Sequence, residues 1–208
     1  MNKILVFGDS NTWGDNFLTR RRIPDDKQWC NILQEKLGKD YKVYQEGLPG
    51  RFAGSVDKND IYKNGIDTFL STYKSIAPID TLIISLGSND LRPENNRTSD
   101  DIIKDLLSYK ELLEKEFNED NNRYFNGKLP EIIYVLPINF ALPDSKLIKI
   151  FQEIEIKRQN ILKYFNDNNI KNIYFNHIDL CEDGLHMSIE GHNAMANTVY
   201  DKIINNNL

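Results

Sequence analysis

Five short apolar runs constrain the fold of this chain more than any other feature. They fall at residues 3–7, 41–45, 81–86, 131–136 and 172–175. Val, Ile, Tyr and Phe dominate them, and Gly, Pro, Asn or Asp bounds them, the pattern of buried strands. Longer stretches of helical periodicity lie between. Helices are expected over 26–37, about 60–73, 99–117 and 146–165, and after Ser188, which suits an N-cap. The third carries Ile102, Ile103, Leu106, Leu107, Leu113 and Phe117 at helical spacing. Thr98 is its expected N-cap, with Asp101 three residues on. The fourth sets Leu147, Phe151, Ile154, Ile161 and Phe165 on one stripe, and the last turns Ala194, Met195, Val199 and Ile203 inward. Polar loops are expected over 92–97 and 118–128.

Strands that alternate with helices imply a parallel sheet covered on both faces. The fold class is therefore α/β: a three-layer α/β/α domain with a five-stranded parallel sheet in the flavodoxin-like order 2-1-3-4-5. The 208 residues show no internal repeat and no low-complexity linker, so residues 1–208 read as one domain. Ligands of such sheets sit beyond the carboxyl ends of the strands, where strands 1 and 3 diverge.

Charge and composition narrow the partners. The net charge is -5 and no basic stripe runs along the chain, which argues against nucleic acid. Arg20, Arg21 and Arg22 are flanked by Asp15, Asp25 and Asp26 and read as a solvated or ion-paired loop. No apolar run is long enough to span a bilayer, so no membrane partner is expected. The opening MNKILVFGDS is too short for a signal-peptide core, and the expected location is cytoplasmic. There Cys30 and Cys181 have no reason to bridge, and Cys30 fits a core helix. The histidines and cysteines lack metal-ligand spacing, so no metal or other cofactor is expected.

The residues after each strand point to chemistry. Strand 1 is followed by Gly8-Asp9-Ser10-Asn11-Thr12-Trp13-Gly14, strand 2 by Glu46-Gly47-Leu48-Pro49-Gly50-Arg51 and strand 3 by Gly87-Ser88-Asn89-Asp90. Beyond strand 5 stands Asp183-Gly184-Leu185-His186. These are parts of acyl transfer: a hydroxyl nucleophile, an imidazole base, a carboxylate to orient it, and donors for an oxyanion. Ser10 is the candidate nucleophile, His186 the base and Asp183 its orienter, with Asp179 as a rival. The candidate oxyanion donors are the Ser10 N–H, the Gly50 N–H and the Asn89 amide, with Gly47 as the alternative to Gly50. Asp9 and Asp90 read as residues that shape turns, and His177 and His192 as structural. Trp13 is a candidate wall of the acyl pocket, favouring short acyl groups. Residues 15–26 and 138–145 are expected to rim the pocket. Their Phe17, Leu18, Ile23, Phe140 and Leu142 suit either a pocket wall or a contact between copies of the chain.

The four blocks GDSNTWG, EGLPGR, LGSND and DGLHMSIEGH resemble the SGNH, or GDSL-type, hydrolase superfamily. Trp13-Gly14, the EGL block and the GLH-S-EGH ending look like its bacterial arylesterase and acyltransferase branch. The resemblance implies a three-layer α/β/α fold without a metal, acting on a small-molecule ester. It carries the nucleophile onto Ser10, the oxyanion donors onto Gly50 and Asn89, and the remaining triad positions onto Asp183 and His186. Two other classes compete. A flavin- or phosphate-binding module could use Ser10, Thr12 and Gly14 to cradle a phosphate. A phosphoacceptor domain could use Asp9 and Asp90, but it would want a Lys after strand 5, and no clear candidate stands there.

Overall fold

The computed structural model describes residues 1–119, 123–141 and 148–205. Strands β1 (Asn2–Gly8), β2 (Tyr41–Gly47), β3 (Thr81–Ser85), β4 (Glu131–Val135) and β5 (Asn172–Ile173) form one parallel sheet. Their order is β2-β1-β3-β4-β5, the order the sequence implies. The helices are α1 (Ser10–Trp13), α2 (Trp29–Leu37), α3 (Gly65–Ile76), α4 (Ser99–Glu119), α5 (Ile148–Asp167) and α6 (Ile189–Asn205).

Alternation along each strand sorts the core into two layers. Leu5, Phe7, Leu82 and Ile84 face α3, α4 and α5. Ile4, Val6, Ile83 and Ile133 face α2 and α6. In the first layer Phe69 packs edge-on to Phe7 at 5.4 Å and to Tyr109 at 5.0 Å between ring centroids. Fully burying one such side chain contributes about 1.5–3 kcal/mol. Cys30 is buried in the second layer, and both Cys30 and Cys181 are free thiols.

The last three strands, β3, β4 and β5, end earlier than their apolar runs, and at β4 and β5 the reason is visible. Backbone beyond the ladder is taken over by side chains. Arg158 on α5 is fully buried and donates from Nε to the Pro137 carbonyl at 2.9 Å and from Nη2 to the Phe175 carbonyl at 2.6 Å. Asn139 accepts from the Ile178 N–H at 2.7 Å. β5 therefore stops at Ile173 rather than Phe175. Helix starts also shift. Residues 25–27 form a 3-10 turn, and Gln28 is held extended by its own side chain, which donates to the Ile23 carbonyl and the Asp25 carboxylate, so α2 begins at Trp29. Asn64 spends its side-chain oxygen on the Val56 and Asp57 N–H groups, and α3 begins only at Gly65. Lys146 and Leu147, expected in α5, and the side chain of Phe151 lie outside the described residues, as do residues 120–122 of the polar loop.

The expected caps are present. Thr98 and Asp101 exchange the two bonds of a capping box, and the Ser188 hydroxyl accepts from the Gly191 N–H at 3.0 Å. His192 on α6 is structural, as expected: its Nδ1 accepts from the Trp29 N–H at 3.3 Å, satisfying a free donor at the start of α2. No described helix is long and apolar enough to cross a membrane.

Burial lowers His192 to about 4, with the nearby His186 adding to the effect. An unfolded His titrates near 6.5, so between these values the folded chain binds fewer protons and the contribution of His192 is lost as pH falls. Asp9 and Asp90 oppose it. Burial raises both to about 6 from 3.8, so their contribution is present below 3.8 and lost as pH rises through 6. His192→Gln removes only the first effect. Relative to wild type, this variant should gain about 3 kcal/mol between pH 7 and pH 4, read from urea unfolding at both pH values.

Candidate active site

Gly8 ends β1 because a Cβ there would meet the Thr12 hydroxyl at 2.0 Å. The Asp9 carboxylate accepts from the Asn11 N–H at 3.0 Å and starts the single turn of α1. Gly14, with φ of 84°, closes that turn through its N–H to the Ser10 carbonyl. Asp9 thus shapes the turn, as expected, and Ser10 is its first residue.

Residues 179–188 fold back on themselves after β5. The Cys181 N–H donates to the His186 carbonyl at 2.7 Å and the Ser188 N–H to the Asp179 carbonyl at 3.1 Å. Asp183 sits inside this loop. Its Oδ1 accepts from the Leu185 and His186 N–H groups at 3.0 and 3.1 Å, and its Oδ2 lies 2.5 Å from His186 Nδ1. His186 Nε2 lies 3.1 Å from Ser10 Oγ. The three sequence candidates therefore form one continuous hydrogen-bonded chain. Burial pushes the Asp183 carboxyl up, but bonds from the His186 N–H, the His186 ring and the Leu185 N–H outweigh it and hold the carboxyl below its ordinary value. The rival Asp179 is engaged elsewhere, by the Ser188 hydroxyl.

Asn89 follows β3, and its Nδ2 donates one hydrogen to the Arg51 carbonyl at 3.0 Å. Among the described residues, no acceptor takes the second hydrogen of that amide. Asp90 braces the loop: its Oδ2 accepts from the Ala53 N–H at 2.9 Å, and Oδ1 lies 3.4 Å from the Arg97 guanidinium. Burial raises its carboxyl to about 6. Gly50 has φ of 78°, and no acceptor among the described residues takes its N–H or that of Ser10. Gly47 instead packs on α1, where a Cβ would fall 2.2 Å from the Trp13 nitrogen.

Ser10, Asn11, Gly50, Asn89 and His186 line one cleft of about 210 Å³. Pro49, Phe140 and Leu185 add apolar wall, and Asp15, Arg20 and Arg92 line it as well. Trp13 is not among the lining residues; its ring lies 5.4 Å from the Arg22 guanidinium, and Arg22 also donates to the Trp13 carbonyl at 2.8 Å. Of the expected rim, Phe140 lines the cleft, Ile23 is buried, Leu18 is exposed, Phe17 lies beside Arg20, and Leu142 lies outside the described residues. Among the described residues, no group of three or more His, Cys, Asp or Glu is arranged to hold a metal ion.

Two positioning residues were not legible in the sequence. Asn11 clips the His186 loop to α1: its Oδ1 accepts from the Met187 N–H at 2.8 Å and its Nδ2 donates to the Leu185 carbonyl at 3.3 Å. Arg51 is buried and donates from Nη1 to the Gly8 and Glu46 carbonyls at 2.9 and 2.6 Å. Both lie within the motif blocks, but nothing in a single sequence says which block residue serves the fold and which the chemistry.

This is a three-layer α/β/α fold with a serine, a histidine and an aspartate in hydrogen-bonding contact at its carboxyl edge. The family model described as GDSL-like Lipase/Acylhydrolase matches residues 4–199, and the chain belongs to that family. It is accordingly a hydrolase acting on ester bonds, which displaces the flavin-binding and phosphoacceptor readings. Its fold is similar to that of the native aryl esterase of M. smegmatis, with 23% identity, a TM-score of 0.80 and 99% of each chain covered. It is equally similar to Est24, a carbohydrate acetylesterase from Sinorhizobium meliloti, with 24% identity, a TM-score of 0.82 and 99% of each chain covered. A member of the lipolytic G-D-S-L family from Veillonella parvula matches at 19% identity and a TM-score of 0.64, over 97% of each chain. No curated protein sequence matches the chain.

Asn11→Ala would strand the buried Met187 N–H. The expected loss of stability is about 1–3 kcal/mol, measured by denaturant unfolding.

Proposed function

We propose that the chain hydrolyses short-chain acyl esters through an acyl-enzyme on Ser10, with His186 as general base and acid and Asp183 as its orienter. The observation that supports this most directly is the unbroken run of contacts from Ser10 Oγ through the imidazole to the Asp183 carboxylate, at 3.1 and 2.5 Å.

The chemistry follows from those contacts. A serine hydroxyl is a weak nucleophile until a base removes its proton. Ser10 Oγ bonds to the ester carbonyl carbon as its proton passes to His186 Nε2. The carbon–oxygen bond to the alcohol then breaks, and the departing oxygen takes that proton. Water next loses a proton to Nε2 and attacks the acyl-enzyme; Ser10 Oγ leaves and recovers the proton. Asp183 holds Nδ1 protonated throughout and stabilises the imidazolium. The negative oxygen of each tetrahedral intermediate is held by the Ser10 N–H, the Gly50 N–H and the free amide hydrogen of Asn89. Gly50 is preferred to Gly47 because it lines the cleft and its N–H has no other acceptor among the described residues.

Acyl size is limited by the cleft of about 210 Å³ with Phe140, Pro49 and Leu185 in its wall. That favours acetyl over long acyl chains, a selection assigned to these residues rather than to Trp13.

Ser10→Ala should abolish the acyl-enzyme burst with p-nitrophenyl acetate and lower kcat by about 10⁴-fold or more. Asn89→Ala should lower kcat by about 10²–10³-fold. Asp183→Ala should cost less than Ser10→Ala. A Ser10→Ala enzyme with wild-type turnover would end the assignment.

A further inference from the structure

We propose that Asp15 recognises the leaving alcohol, and that the cleft takes esters of polyols, in which a hydroxyl stands next to the esterified oxygen. The inference rests on Ser10 and His186 being the reacting pair.

Asp15 opens a two-residue ribbon, Asp15–Asn16 paired with Arg21–Arg22, so its backbone is fixed independently of its side chain. The side chain lines the cleft and is only 13% exposed. Among the described residues no N–H or O–H donates to its carboxylate, and its single ion-pair contact is His186 Nε2 at 3.7 Å. The other sheltered carboxylates here are different: Asp9, Asp90 and Asp183 each accept from a backbone N–H. Sheltered carboxylates need donors. The Asp15 carboxylate faces the open cleft, so its donors are water or a hydroxyl of what enters. The cleft's two cations do not supply them: Arg92 is paired with Glu94 at 2.7 Å, and the Arg20 guanidinium lies 5.8 Å from the Phe17 ring.

Position then decides what Asp15 meets. Nε2 must pass its proton to the departing oxygen, which therefore lies about 3 Å from it. Asp15 Oδ2 stands 3.7 Å from the same nitrogen. A hydroxyl on the next carbon of the alcohol falls beside that carboxylate and can donate a charge-assisted bond to it. Proton traffic is unchanged: the ester oxygen takes the proton from Nε2 as its bond to the acyl carbon breaks, and the neighbouring hydroxyl keeps its own. An alcohol without that hydroxyl leaves Asp15 unpaired, and sites built to bond a substrate hydroxyl reject analogues that lack it.

The test is the ratio of kcat/KM for 1-acetylglycerol to that for propyl acetate. It should fall at least tenfold in Asp15→Ala and by less in Asp15→Asn, which keeps an acceptor oxygen. A second measurement needs no variant. Acetyl transferred from p-nitrophenyl acetate in wild type should partition to glycerol over propan-1-ol, at equal concentrations, by more than threefold, because acceptor and leaving alcohol share one position. An unchanged ratio overturns the proposal, whether both rates fall together, as they would if Asp15 acted through His186, or neither falls. Equal partition overturns it as well. Ester turnover that survives Ser10→Ala would instead overturn the reacting pair.

Discussion

The guanidinium of Arg51 is the tie on which the site depends. A parallel ladder leaves carbonyls short of partners where its strands end; Gly8, ending β1, is buried and takes one bond from the Leu48 N–H, and Glu46, near the end of β2, is half-buried. Arg51 fills that gap, donating to the carbonyls of Gly8 and Glu46 while it stacks 4.0 Å from the Phe7 ring. Burial of the guanidinium lowers its affinity for a proton, and the surrounding Tyr109, Glu46 and Asp9 oppose that shift. The backbone of the same residue accepts from Asn89. One residue thus joins the turn bearing Ser10, the turn bearing Gly50 and the loop bearing Asn89. A charge buried this way is costly when a partner is removed, so the three loops hold a common geometry.

The other half of the site is tied separately. His186 belongs to the last loop, and its distance from Ser10 is set by Asn11, the residue next to Ser10. The short turn that begins at Ser10 therefore also carries the clip for the imidazole loop. That loop is joined in turn to the segment after β4, because the Ala141 N–H donates to the Gly184 carbonyl at 2.9 Å. Asn139 and Arg158 close the ends of β4 and the chain beyond β5. The carboxyl edge is thus a set of loops whose free backbone groups are satisfied by side chains, and rigid loops can hold reacting atoms in place.

Most of the fold was legible in the sequence. Strand and helix identities follow from period, and five strands each followed by a helix suggest the flavodoxin-like order. Boundaries were less legible. The run through Phe175 has strand chemistry, but its carbonyl is claimed by Arg158 from a distant helix. The candidate site was legible in its motif residues, Ser10, Asn89, Asp183 and His186, because the proposed acyl transfer demands those residue types. Asn11, Arg51 and Asp15 were missed in their roles because each has a partner more than thirty residues away along the chain, on a group chosen by folding.

The sequence by itself determined the layers, the edge of the sheet that carries chemistry, and the chemical types gathered there, because periodicity and local turn chemistry are properties of neighbouring residues. Tertiary structure alone decided which aspartate reaches His186, which glycine N–H is left without an acceptor, and which residues wall the cleft. Those outcomes depend on distances between loops, and such distances are fixed by buried polar groups finding partners far away along the chain.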